Sequence, residues 1–131
     1  MSQGSINRFI VKPVRIEELV HHDIPQMERE VGPLFRFMNR DMVPEADVTL
    51  MVRIIERDPR ESNVGPHPHH HEGNQLYCLL GEVEVEVTIE DETANVKGPA
   101  SIFIPAGKAH AIRYRGGRGY LVNVLSRGEY Q

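Results

Sequence analysis

A single cysteine, Cys78, stands among the 131 residues, so no intramolecular disulfide can form and packing alone must hold the fold. Its apolar neighbours, Leu76 to Leu80, mark it as a small, inert, buried thiol, and the scarcity of cysteine fits a reducing, cytoplasmic compartment. Long hydrophobic runs are missing too. No stretch approaches the roughly 20 apolar residues of a membrane span, and Phe9-Ile10-Val11 is too short for the apolar centre of a signal peptide. Neither sign of charge dominates, since 15 Lys and Arg stand against 19 Asp and Glu. Such a mixture supplies no basic stripe and argues against a nucleic-acid or anionic-membrane partner. The length supports one domain with a real core, small enough that a homodimer is the expected assembly.

What the chain does hold in excess is histidine in one place. Between Gly65 and Gly81 runs Gly-Pro-His-Pro-His-His-His-Glu-Gly-Asn-Gln-Leu-Tyr-Cys-Leu-Leu-Gly. In an extended segment alternate side chains face one way, so His67, His69 and His71 can share a side while Pro66 and Pro68 resist coiling. Two of them can grip one metal ion, for which neutral imidazole is the commonest protein ligand. His70 points away from that set. His21 and His22 have no partner at ligand spacing and belong to a surface or a helix end.

Around this segment the pattern is of short strands. Residues 1–45 form an arm in which Ile16, Leu19 and Val20 predict one short helix ending before Pro25, followed by an early strand at Leu34, Phe35, Phe37 and Met38. From Asp47, Val48, Leu50, Val52 and Ile54 alternate with Thr49, Met51, Arg53 and Ile55, the period of a half-buried strand. Leu76–Leu80 reads as a strand buried on both sides. Val83, Val85, Val87 and Ile89 oppose Glu82, Glu84, Glu86 and Glu90, so one face packs and the other meets water. Strands follow at 101–104, 109–114 and 120–125, with Arg115-Gly116-Gly117-Arg118-Gly119 as a hairpin turn. If His110 faces inward, alternation sends Arg113 and Arg115 outward, beside the glutamate row. Many short strands with little helix give an all-β sandwich or barrel over 46–131.

Two stretches resemble the signatures of the cupin superfamily, Gly-x5-His-x-His-x3,4-Glu-x6-Gly and Gly-x5-Pro-x-Gly-x2-His-x3-Asn. His67-Pro68-His69, Asn74 and Gly81 reproduce the first spacing, and Pro105-Ala106-Gly107-Lys108-Ala109-His110 the heart of the second. Gly65 and Gly98 are displaced from the pattern's opening glycines, and Tyr114 stands where it has Asn. The family's glutamate is replaced by Asn74, with Gln75 beside it. The resemblance implies a double-stranded β-helix, or jelly roll, with a divalent metal ion held by histidines: zinc, iron, manganese or nickel.

Two registers satisfy the ligand spacing. The favoured one joins His67, His69 and His110 to Gln75, with Asn74 as the alternate oxygen donor; the other joins His69, His71 and His110 to Gln75. The longer reach of glutamine favours Gln75 as the oxygen donor in either. Such a set carries no ligand charge, which favours an anionic or carbonyl-containing small molecule and Lewis-acid chemistry of the isomerase, lyase or cyclase type. An iron-dependent dioxygenase and a non-catalytic, metal-dependent binding protein are the alternatives. Glu72, Tyr77, Tyr114 and Arg53 are the candidates for proton transfer or anion binding.

Overall fold

The computed structural model describes residues 4–17, 24–56 and 73–126. His67, His69, His70, His71, Glu72, His21 and His22 therefore lie outside the described residues. Two helices and nine strands are described: α1 (Gly4–Asn7), β1 (Val14–Arg15), α2 (Ile24–Glu30), β2 (Leu34–Met38), β3 (Thr49–Ile55), β4 (Gln75–Gly81), β5 (Glu84–Ile89), β6 (Glu92–Lys97), β7 (Ala100–Ile104), β8 (His110–Gly116) and β9 (Gly119–Leu125). They form a six-stranded sheet in the order β1-β2-β3-β9-β4-β7 and a three-stranded sheet in the order β6-β5-β8, with every pairing antiparallel. The core joins them. Tyr77, Leu79, Ile102, Ile104 and Leu121 of the larger sheet meet Val85, Val87 and Tyr114 of the smaller, so the architecture is the expected all-β jelly roll.

The alternation of β5 holds as read: Val83, Val85 and Val87 are buried while Glu84 is exposed. Glu90, however, leaves the strand at a φ of +55° in the turn to β6. On β8, His110 and Tyr114 face inward and Arg113 and Arg115 outward. Arg113 pairs directly with Glu86, and Arg115 Nη2 donates to Glu86 Oε2 at 3.4 Å. The acidic row thus has positive partners on the adjacent strand.

Other expectations fail for identifiable reasons. Ile16 is not helical; its N–H reaches the Leu34 carbonyl beside β1. Leu19 and Val20, which carry the rest of that expected helix, lie outside the described residues; a helix does begin at Ile24 and takes Pro25 into its first turn, where the missing N–H of proline would have no helical partner anyway. The turn through Gly117 and Arg118 makes no hairpin, because β8 pairs with β5 while β9 lies between β3 and β4. It carries the chain from one sheet to the other. Gly117 turns there at a φ of +83°, and a Cβ on it would lie 1.8 Å from the Glu82 carbonyl oxygen. A Cβ on Gly119 would lie 2.0 Å from the Leu80 oxygen. Close backbone approach closes this end.

Strand β4 is not buried on both sides. Leu76 and Leu80 are 37% and 44% exposed, and Cys78 between them is half-buried on the outer face. That face is continuous across four strands. Leu50, Val124, Leu76 and Phe103 form one row, Val52, Val122, Cys78 and Ser101 the next, and Ile54, Tyr120 and Leu80 the third. None of these residues is charged. The inner face of β3 carries Thr49, Met51, Arg53 and Ile55, all buried; with apolar residues on both faces, periodicity alone could not say which side was core.

Candidate functional site

The end of the barrel remote from the glycines gathers the polar interior. β4 starts there with Gln75, whose partner across the pair is Ile104, and the loop after Ile104 delivers His110 at the start of β8. Side-chain and backbone bonds fix this loop. Asn74 Oδ1 accepts from the Ala106 N–H at 2.9 Å, the Asn74 N–H donates to Ser126 Oγ at 3.0 Å, and the Glu90 N–H donates to the Ala109 oxygen at 2.8 Å. Asn74 is exposed and uses its side-chain oxygen to anchor the 105–109 loop.

Gln75 and His110 are both fully buried. Gln75 Nε2 donates to Asn123 Oδ1 at 2.7 Å. Its Oε1 is shielded from solvent and, among the described residues, has no hydrogen-bond partner. A buried amide oxygen in that condition carries a desolvation cost of about 1–3 kcal/mol, the signature of a group that meets something further. His110 Nδ1 lies 3.2 Å from the Lys108 carbonyl oxygen. A carbonyl only accepts, so the proton belongs on Nδ1 and the lone pair on the buried Nε2, the tautomer of a metal-ligating histidine. Tyr77 stands edge-on to this ring, with centroids 6.1 Å apart and planes at 66°. A neutral oxygen donor and an imidazole lone pair thus lie at one end of the interior, a donor set that fits a divalent cation.

Arg53 and Tyr114 belong to a different cluster, two strand rows from Gln75. Arg53 is 4% exposed, and its Nη1 donates to the Gly32 carbonyl at 2.7 Å. Its Nη2 lies 4.0 Å from Met27 Sδ, and its positive charge bears on the Tyr114 hydroxyl. Burial pushes the Tyr114 phenol above the ordinary tyrosine range, against the opposing pull of Arg53. The bond to Gly32 ties β3 to the segment after α2. Gly32 cannot be replaced there, since a Cβ would sit 1.9 Å from the Ile54 oxygen at a φ of +155°. The inward arginine binds the protein's own backbone.

Asn123 escaped the sequence reading because it sits in an apolar run, Tyr120 to Leu125. The available signal was its parity: it falls between the core residues Leu121 and Leu125, on the buried face of β9. Among the described residues no cluster of three or more His, Cys, Asp or Glu side chains is poised to hold a metal. No helix among them is long and apolar enough to cross a membrane.

No family model matches the sequence, and no curated protein matches it. Solved structures do match. KdgF from Halomonas sp. aligns with a TM-score of 0.57 at 14% identity, covering 74% of this chain and 81% of that one. An RmlC-like cupin from Shewanella frigidimarina NCIMB 400 aligns at 0.53 and 16% identity, covering 72% and 76%. A Bacillus subtilis oxalate decarboxylase structure concerned with its Mn(II) centres aligns at 0.58 and 14%, covering 78% of this chain but 27% of the decarboxylase. At these identities the likeness is one of fold.

Proposed function

We propose that this chain, a cupin by its fold, binds a divalent metal ion through His69, His71, Gln75 and His110 and acts on a small carbonyl-containing or anionic molecule. The observation that carries the reading is the buried Oε1 of Gln75, which has no partner among the described residues, at the end of the interior where His110 carries its lone pair. Gln75 inward and Asn74 outward favour the spacing His-x-His-x3-Gln, and with it His69 and His71 in place of the His67 and His69 preferred from the sequence. A divalent ion held there supplies Lewis acidity, polarising a carbonyl oxygen.

The chain's own residues do the rest. Tyr77, 6% exposed and beside the His110 ring, offers a hydroxyl to a substrate oxygen. Ile104, Leu125 and Ile89 supply apolar walls on the rows that carry Gln75 and His110. No carboxylate is buried among the described strands, and Glu92, opposite Ile89 on the row of His110, is exposed; the donor set thus stays neutral and favours an anionic ligand. The similar fold within a Mn(II)-containing oxalate decarboxylase, of which it spans 27%, supports the metal. Elemental analysis of the purified protein and of His→Ala variants tests this. His110→Ala and His71→Ala are expected to lose the metal and His67→Ala to keep it. Full occupancy in the His110 variant overturns the site, and loss with His67→Ala but not His71→Ala moves the ligands to His67 and His69.

The uncharged outer face supports a homodimer. At about 4.8 Å between strands and 3.4 Å per residue, four strands over the Leu50–Ile54 span cover roughly 20 by 15–20 Å in plane. That is a substantial part of the roughly 800 Å² each partner gives to a stable interface, and a two-fold axis sets uncharged rows against uncharged rows. Phe103, 58% exposed, is the probe: Phe103→Glu is expected to yield monomers by sedimentation with metal content unchanged, and an unaltered mass refutes the assignment.

A further inference from the structure

Replacing a glutamate ligand by glutamine raises a requirement that glutamate does not have. The two carboxylate oxygens are equivalent, so either end serves. An amide has an oxygen that accepts and a nitrogen that only donates, and its terminal torsion is broad and two-fold. Something must decide which end faces the interior. Gln75 and Asn123 lie on paired strands, with Gln75 opposite Leu125 and Asn123 opposite Tyr77, so their side chains meet diagonally on the inner face. Asn123 Oδ1 accepts from Gln75 Nε2 at 2.7 Å, and Oε1 is left buried on the other side.

We infer that Asn123 is a positioning residue that fixes the amide of Gln75 with its oxygen toward the interior, and that Gln75 and Asn123 form one functional unit. The inference rests on the metal reading above for its consequence, though the amide orientation stands without metal. With no acceptor at position 123 the amide of Gln75 can turn, presenting N–H groups that repel a cation. Outer groups that orient a ligand in this way typically alter metal affinity 10–100-fold.

The experiment is a double-mutant cycle on the full chain, with Co(II) alone as the titrated probe. Asn123→Leu, which lacks an acceptor, is expected to weaken Co(II) binding about 10–100-fold. Asn123→Asp, an acceptor only, is expected to bind at least as tightly as the parent. In a Gln75→Glu background, where both oxygens are equivalent, Asn123→Leu is expected to cost less than about threefold. Equal weakening in both backgrounds, or loss in Asn123→Asp, overturns the assignment by showing a packing effect or the opposite amide orientation. The metal-free protein supplies the second readout. The Gln75 side-chain NH₂ is expected to exchange slowly by NMR and to lose that protection in Asn123→Leu. Fast exchange in the parent overturns the orientation; slow exchange in a parent that binds no Co(II) upholds it and rejects the metal reading instead.

Discussion

Replacing Arg53 by methionine removes a buried charge while keeping most of the side chain's length. The loss has two parts. The charge-assisted bond to the Gly32 carbonyl is worth about 1.5–3 kcal/mol, and the Tyr114 hydroxyl loses a favourable positive neighbour. Against them stands the desolvation of a guanidinium that is 4% exposed, relieved when the charge goes. The net expectation is a destabilisation of about 2–3 kcal/mol, which for a domain of this size lowers Tm by roughly 6–15 °C. Thermal unfolding followed by circular dichroism, with metal content measured well below the transition, separates the two roles of the residue. A backbone tether costs stability and leaves metal content intact. A variant that melts with the parent, or one that stays folded but loses metal or ligand binding, refutes the placement of Arg53 as a tether.

Three further outcomes follow from the same geometry. Because burial raises the Tyr114 pKa, the unfolded chain ionises first; stability is fully present below the ordinary tyrosine value of about 10 and falls as pH rises through it toward the folded value, a loss expected to vanish in Tyr114→Phe. Melting curves between neutral and strongly alkaline pH check this, and identical alkaline slopes for the two proteins refute it. Arg115→Ala removes a solvent-exposed pair with Glu86 and is expected to cost about 0.2–1 kcal/mol, more at low salt than at high salt; a loss independent of salt contradicts the ion pair. Gly119→Ala is expected to cost more than about 3 kcal/mol or to prevent folding, whereas Gly107→Ala, with open space around its Cβ, costs only the left-handed strain of about 1–2 kcal/mol. Comparable urea midpoints for those two variants rule out the close approach at Gly119.

How much of this was legible depended on contrast between faces. The glutamates opposite valines in β5 left one possible inside, and the parity of β8 then placed His110, Arg113 and Arg115 correctly. β3 and β4 offered no such contrast, because their outer faces are as apolar as their inner ones. The inward direction of Arg53 depended on a carbonyl 21 residues earlier in the chain, Gly32, a pairing no local pattern encodes. Asn74 and Gln75 were neighbours with the same chemistry; only the strand register separated the exposed anchor of the 105–109 loop from the buried amide. Pro25, which the sequence alone offers as a helix stop, stands in the first turn of α2, where its missing N–H has no helical partner to lose.

The glycine contacts at the far end make the barrel blind-ended. Backbone from the β4–β5, β6–β7 and β8–β9 connections meets there, with Gly98 against the Gly81 oxygen and Val83 fully buried behind them. On the proposed reading, a small molecule approaches the interior from the His110 side, because the described residues close the opposite end. The usable depth is bounded by the four residues from His110 to Tyr114, roughly 13 Å of strand, much of it filled by Tyr77 and Tyr114. On that reading the ligand is a small one, held beside His110 and above the two tyrosines.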